Sequence, residues 1–144
     1  MTGDDFVTLA GRLFAASPNP LEALLRTVID RAYYGAFHLC SAYLREIGLP
    51  VIGDHGEIWR RMSGSGHPSA ERVGVCLTAL YRARVAADYR LEAKDPARSE
   101  FAKAHVELAV EVQSLLALCR ATEAQAAIRT GIDAYLKRIG TKGT

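Results

Sequence analysis

Residues 20–47 read PLEALLRTVIDRAYYGAFHLCSAYLREI, and this stretch decides the fold. Its apolar side chains (Leu21, Leu25, Val28, Ala32, Phe37, Cys40, Tyr43, Leu44, Ile47) recur mostly at spacings of three and four. That is the period of an α-helix, in which such positions share a face. The apolar arc is wide, so the spacing predicts a long, central, mostly buried helix. Asn19 is the expected N-cap and Pro20 the first helical residue, while Gly48-Leu49-Pro50 stops the run.

Working outward, residues 5–16 predict a short helix with Phe6, Leu9, Ala10, Leu13 and Phe14 on one side, ended by Ser17-Pro18-Asn19-Pro20. After the loop Gly53-Asp54-His55-Gly56, a short helix is expected around Glu57–Met62, with Trp59 covering the core. Ser63-Gly64-Ser65-Gly66-His67-Pro68 then breaks the chain. Ser69 opens a helix to about Leu91 with Val73, Cys76, Leu77, Leu80 and Ala87 inward. Asp95-Pro96 opens another, on which Phe101, His105, Leu108, Val112, Leu115 and Cys119 repeat. Residues 121–127 either continue or kink it. A last piece carries Ile128, Ile132, Tyr135, Leu136 and Ile139, with Gly131 a weak interior point and fraying from Gly140. Period-two alternation is absent. The expected architecture is all-α, an up-and-down bundle of four to five helices, with residues 1–144 as one domain.

Composition excludes several classes. In 144 residues, 49% are hydrophobic and 24% charged, which is globular rather than disordered, and no stretch approaches the length of a membrane span. Cys40, Cys76 and Cys119 are odd in number and widely spaced, which fits neither a disulfide framework nor a zinc cluster and suits a reducing cytoplasm. Asp4 and Asp5 follow Met1 where a secretion signal would be basic and then apolar. Net charge is only +2, yet the 18 basic residues are 14 arginines and 4 lysines. Arginine's planar fork matches carboxylate and phosphate groups. Gly-rich phosphate loops, nucleophile elbows, dinucleotide fingerprints and metal-ligand spacings are all missing, so no cofactor or metal is expected.

The chemistry-bearing feature is a polar stripe on the central helix. At 100° per residue, Thr27, Arg31, Tyr34, His38, Ser41 and Arg45 fall on one side, with Asp30 at the edge. A solvated helix face favours Glu and Lys, and this stripe has neither. Its members are instead what phosphodiester chemistry requires. A neutral histidine exchanges protons near pH 7, and an always-charged arginine stabilises a developing phosphorane. A second polar cluster ends the fourth predicted helix, where Arg84 and Asp88 stand at i,i+4 with Tyr89 beside them. There an ion pair pinning the helix end competes with a phosphate-directed role. Of the other histidines, His105 is expected as a hydrogen-bonded core residue, His55 as a helix cap and His67 as exposed.

These residues resemble a family. Residues 31–38, RAYYGAFH, resemble the RAYYAAFH signature of small bacterial HEPN (higher eukaryotes and prokaryotes nucleotide-binding) proteins. His55-Gly56-Glu57-Ile58 resembles their H-S/G-x-I/V element, and residues 80–89, LYRARVAADY, their L-x-x-x-R-x-x-A-D-Y. The three blocks stand in the family's order. The resemblance implies a helical bundle that forms a homodimer and is often encoded beside a minimal nucleotidyltransferase antitoxin. It further implies metal-independent endoribonuclease activity from an Arg, four to six residues, then His motif completed across the dimer. Arg31 and His38 satisfy that spacing and are the expected catalytic pair. Tyr34, Arg45, Arg84, Asp88 and Tyr89 are the expected RNA- or nucleotide-binding residues. One departure matters: family ribonucleases carry the motif nearer the C-terminus, where this chain has Arg84, four residues, then Tyr89 and no histidine. Either the His38 stripe carries the chemistry, or the chain is a non-catalytic RNA-, nucleotide- or partner-binding module of a toxin–antitoxin pair. A plain scaffold with surface ion pairs is the third alternative.

Overall fold

The computed structural model describes residues 1–17 and 19–142. Among them are six α-helices and no strand: α1 (Gly3–Ala15), α2 (Glu22–Glu46), α3 (His55–Ser63), α4 (Pro68–Tyr89), α5 (Ser99–Cys119) and α6 (Thr122–Lys142), with a 3₁₀ turn at Asp95–Ala97. The all-α class expected from periodicity is what the chain adopts, but with six α-helices among the described residues rather than four to five, since α3 and the segment after Cys119 each form a helix of their own. None of these helices is long and apolar enough to cross a membrane.

Several boundaries differ from the sequence expectation, each for a local reason. The central helix starts at Glu22, because the Leu21 carbonyl accepts from Leu24 and Leu25 N–H, so Asn19 and Pro20 precede it. Pro18, one of the prolines expected to end α1, lies outside the described residues. The α4 cap is His67 rather than Ser69: its carbonyl accepts from Glu71 N–H and its ring Nδ1 from Ser69 N–H at 3.3 Å. His67 is accordingly half-buried, not exposed. Asp54, not His55, caps α3 by accepting from Gly56 N–H at 2.9 Å. Beyond Cys119 the hydrogen bonds shorten to i→i−3 (Arg120 to Ala117, Ala121 to Leu118), and the Ala121 carbonyl then starts α6 by accepting from Gln125. The last segment is therefore a separate helix, continuing through Gly140 to Lys142.

The chain folds as two compact units, Met1–Leu39 with Cys76–Gln113, and Cys40–Val75 with the described residues from Ser114 on. In the first unit, Val7, Ala10, Leu25, Val28, Ile29, Ala32, Tyr33, Ala36, Leu77, Leu80 and Ala109 are buried. Here α1 lies directly on α2: a Cβ at Gly35 would stand 2.6 Å from Val7 Cγ2 and 3.0 Å from the Val7 backbone nitrogen. That close approach sets Phe6 beside the polar stripe of α2.

In the second unit, Tyr43, Leu44, Ile47, Ile58, Met62, Val73, Leu116, Cys119, Ile128 and Ile132 are buried. Tyr43 donates its hydroxyl proton to the Cys119 carbonyl at 3.1 Å. At the end of α2, Leu49 N–H bonds the Leu44 carbonyl and Gly48 N–H the Arg45 carbonyl, with Gly48 at φ +80°. This left-handed stop satisfies carbonyls the helix would otherwise leave open. α3 and α6 pack together through the Ser65 turn, where Gly131 lies against the Ser65 carbonyl. The three cysteines are buried thiols; Cys76 donates to Glu111 Oε2 at 2.9 Å, and burial pushes the Cys40 thiol well up.

Candidate functional site

Most of the residues singled out in the sequence converge in the first unit. Arg31 donates from Nη2 to Asp30 Oδ2 at 2.8 Å and places its guanidinium 5.4 Å from the centre of the Phe6 ring. His38, one helical heptad on, is exposed and lies against the same ring at 5.5 Å. His38 also stacks on Tyr34, with ring centres 6.2 Å apart. Arg84 of α4 stands over the Tyr34 ring at 5.3 Å. Two aromatic rings thus tie together two arginines and a histidine, a geometry in which a cation gains from the negative ring face.

The arginines do not stand alone. Arg84 donates from Nε to Asp88 Oδ2 at 3.0 Å, approaches Asp30 Oδ1 at 3.7 Å, and donates from Nη2 to the Tyr89 hydroxyl at 3.4 Å. The Tyr89 ring also lies 5.3 Å from its guanidinium. Burial works against the Arg84 charge, but Tyr34, Tyr89, Asp88 and Asp30 more than offset it, so Arg84 is held above the usual arginine range. Asp88 is pushed the other way. Burial first, then a hydrogen bond and the charge of Asp30, raise its carboxyl above the usual range against the pull of Arg84. Beneath lies Tyr33, fully buried among Tyr34, Phe37, Tyr81 and Arg84. Its hydroxyl is buried without a hydrogen-bond partner, and burial, then Tyr34, pushes it up to about 12.

A raised carboxyl has a sign that can be measured. Ionising Asp88 costs the folded state, a cost absent below the unfolded pKa and fully present once pH exceeds the folded one. Asp88→Asn removes that cost while leaving an amide oxygen for Arg84. Its stability should match wild type near pH 3 and equal or exceed it, by up to about 1 kcal/mol, at pH 7. Urea melts at the two pH values check this; a loss at pH 7 alone would show that the Arg84 ion pair outweighs the carboxylate repulsion.

Arg45 does not join this group. It is exposed, belongs to the second unit, and contributes its carbonyl to the α2 stop. His105 is half-buried, with Nδ1 at 2.7 Å from the Phe101 carbonyl and its ring 4.3 Å from that of Phe101, as a packed structural histidine would be. Among the described residues, no group of three or more His, Cys, Asp and Glu side chains could hold a metal ion.

Sequence reasoning missed the residue that holds the site together. Arg26 is 7% exposed. Its Nη1 donates to the carbonyls of Ala86, Ala87 and Arg90, and its Nη2 to those of Leu91 and Ala93, all between 2.9 and 3.2 Å. Glu22 Oε1 accepts from its Nε and Nη2 at 3.0 and 2.8 Å. One side chain of α2 thereby caps the end of α4, the segment carrying Arg84, Asp88 and Tyr89. An arginine among apolar helix positions was the available signal, but its target, some 60 residues away in sequence, was not.

Comparison of the chain with known protein families, curated proteins and solved structures returns no match.

Proposed function

We propose that this chain is a HEPN-type, toxin-like endoribonuclease of the cytoplasm, working as a homodimer of helical bundles and controlled by a minimal nucleotidyltransferase antitoxin. The observation that supports it is the sharing of rings: Arg31 and His38 on Phe6, His38 and Arg84 on Tyr34. In this reading His38 takes the proton from a ribose 2′-hydroxyl. The 2′-oxygen bonds to phosphorus, the bond to the 5′-oxygen breaks, and that oxygen leaves with the proton returned from the His38 imidazolium. Arg31 and Arg84 hold the phosphate and stabilise the charge that builds on it.

The carboxylate pairing of both arginines favours a second reading. Asp30 and Asp88 balance Arg31 and Arg84, so the patch equally suits a partner protein's mixed charges, and the chain would then be a non-catalytic docking module. Incubation of RNA with the purified protein in EDTA separates the two. Wild type is expected to cut, and His38→Ala to lose about 10²- to 10⁴-fold in rate with an unchanged circular-dichroism melt. An equally active His38→Ala would remove the ribonuclease assignment. An inert wild type that binds a nucleotidyltransferase partner tightly would support the docking module.

A further inference from the structure

A second polar feature lies in the other unit and plays no part in the chemistry above. A cleft of about 320 Å³ is lined by Glu46, Ile47, Arg120, Thr122, Gln125, Ala126 and Arg129. Its size falls at the small end of sites for organic ligands. Glu46 grips Arg120 by two parallel bonds, Nε to Oε2 at 2.9 Å and Nη2 to Oε1 at 3.0 Å, and the guanidinium lies 5.6 Å from the Tyr43 ring centre. Arg120 is therefore held in one orientation. Among the described residues, no carboxylate pairs with Arg129. Glu46 is the only acidic side chain among the described residues lining the cleft, and it is taken up by Arg120, so those residues leave the Arg129 charge uncompensated; its Nη2 reaches toward the Gly48 turn. Thr122 and Gln125, on the same helix as Arg129, add a hydroxyl and an amide. The Ile47 and Ala126 walls are apolar.

The geometry points to this cleft as a binding site for the phosphate of a small phosphate monoester. An oriented arginine, a second arginine with spare charge, a hydroxyl and an amide supply more donors than one carboxylate can accept. A tetrahedral dianion with three terminal oxygens matches them better. The apolar walls leave room for a short carbon skeleton beside it. This site is independent of the proposed ribonuclease chemistry, and stands or falls separately.

Isothermal titration of the full chain tests it, with inorganic phosphate and ribose 5-phosphate as probes and ribose as the control. Both phosphates are expected to saturate a site that survives Arg84→Gln, which removes a phosphate contact of the proposed ribonuclease patch, and ribose to give no heat. Arg129→Gln should bind at least tenfold more weakly, and Arg129→Lys should keep part of the affinity as a point charge. Glu46→Gln, which removes the opposing carboxylate, should bind several-fold more tightly, while His38→Ala should bind as wild type does. The proposal is overturned if the phosphates do not saturate, if ribose binds as well, if Arg129→Gln leaves affinity unchanged, or if His38→Ala abolishes binding. Arg129 is exposed, so its variants should fold, and Glu46→Gln provides a second reading in the opposite direction.

Discussion

Arg26→Ala is expected to lower the melting temperature by roughly 6–12 °C, the largest single-residue effect in the first unit. The reason is the number of groups one side chain satisfies. Removing it strips five backbone carbonyls of a charged donor, and that of Ala87 is buried. A buried polar group left unpaired costs about 1–3 kcal/mol, and a broken buried ion pair about 3–5 kcal/mol. Carbonyls nearer the surface recover water, and Glu22 is half-exposed, so a total of about 3 kcal/mol is the reasonable expectation. Arg26→Lys should recover only a minor part, since an ammonium cannot span five acceptors in a plane. Differential scanning calorimetry of the three proteins provides the measurement. Melts of both variants within 2 °C of wild type would mean that water replaces the arginine at no cost.

The second large effect reverses what helix propensity alone suggests. Gly131 lies inside α6, where replacement by alanine would ordinarily stabilise by about 1 kcal/mol. A Cβ at this position would run into the Ser65 carbonyl, which is backbone and itself part of a buried turn: Ser65 Oγ bonds the Met62 carbonyl at 2.8 Å and accepts from His67 N–H at 3.2 Å. Gly131→Ala should therefore destabilise by about 2–3 kcal/mol, as overpacking does, and Gly131→Val by more. Gly140, in the same helix with open space around its Cβ position, is the control; Gly140→Ala should be neutral or stabilising by up to about 1 kcal/mol. Chemical denaturation of the pair reads the difference in sign directly.

What the sequence disclosed and what it withheld divide along physical lines. The central helix was legible because its apolar period and its Gly48 stop are local, and so was the Arg84–Asp88 pair, four residues apart on one helix. Helix starts were less so. Asn19-Pro20 and Ser69 look like caps in isolation, yet the bonds are made from Leu21 and His67, whose neighbours' conformations decide which carbonyl is free. The rest needs tertiary structure. Phe6 reads as one apolar residue of α1, and only the approach of that helix at Gly35 puts it between Arg31 and His38. Arg26 and Gly131 act on segments some 60 residues distant, which periodicity cannot report. Arg45 shares the helical stripe but not the site, because a stripe running the length of α2 passes from one packed unit into the other.

The most direct test of the assignment is the chemistry of the RNA ends left by the purified protein in EDTA, read by mass spectrometry. Transesterification by an arginine–histidine patch leaves a 2′,3′-cyclic phosphate on one fragment and a free 5′-hydroxyl on the other, and both should vanish in His38→Ala. Fragments bearing 5′-phosphates, or cyclic ends undiminished in that variant, would contradict it.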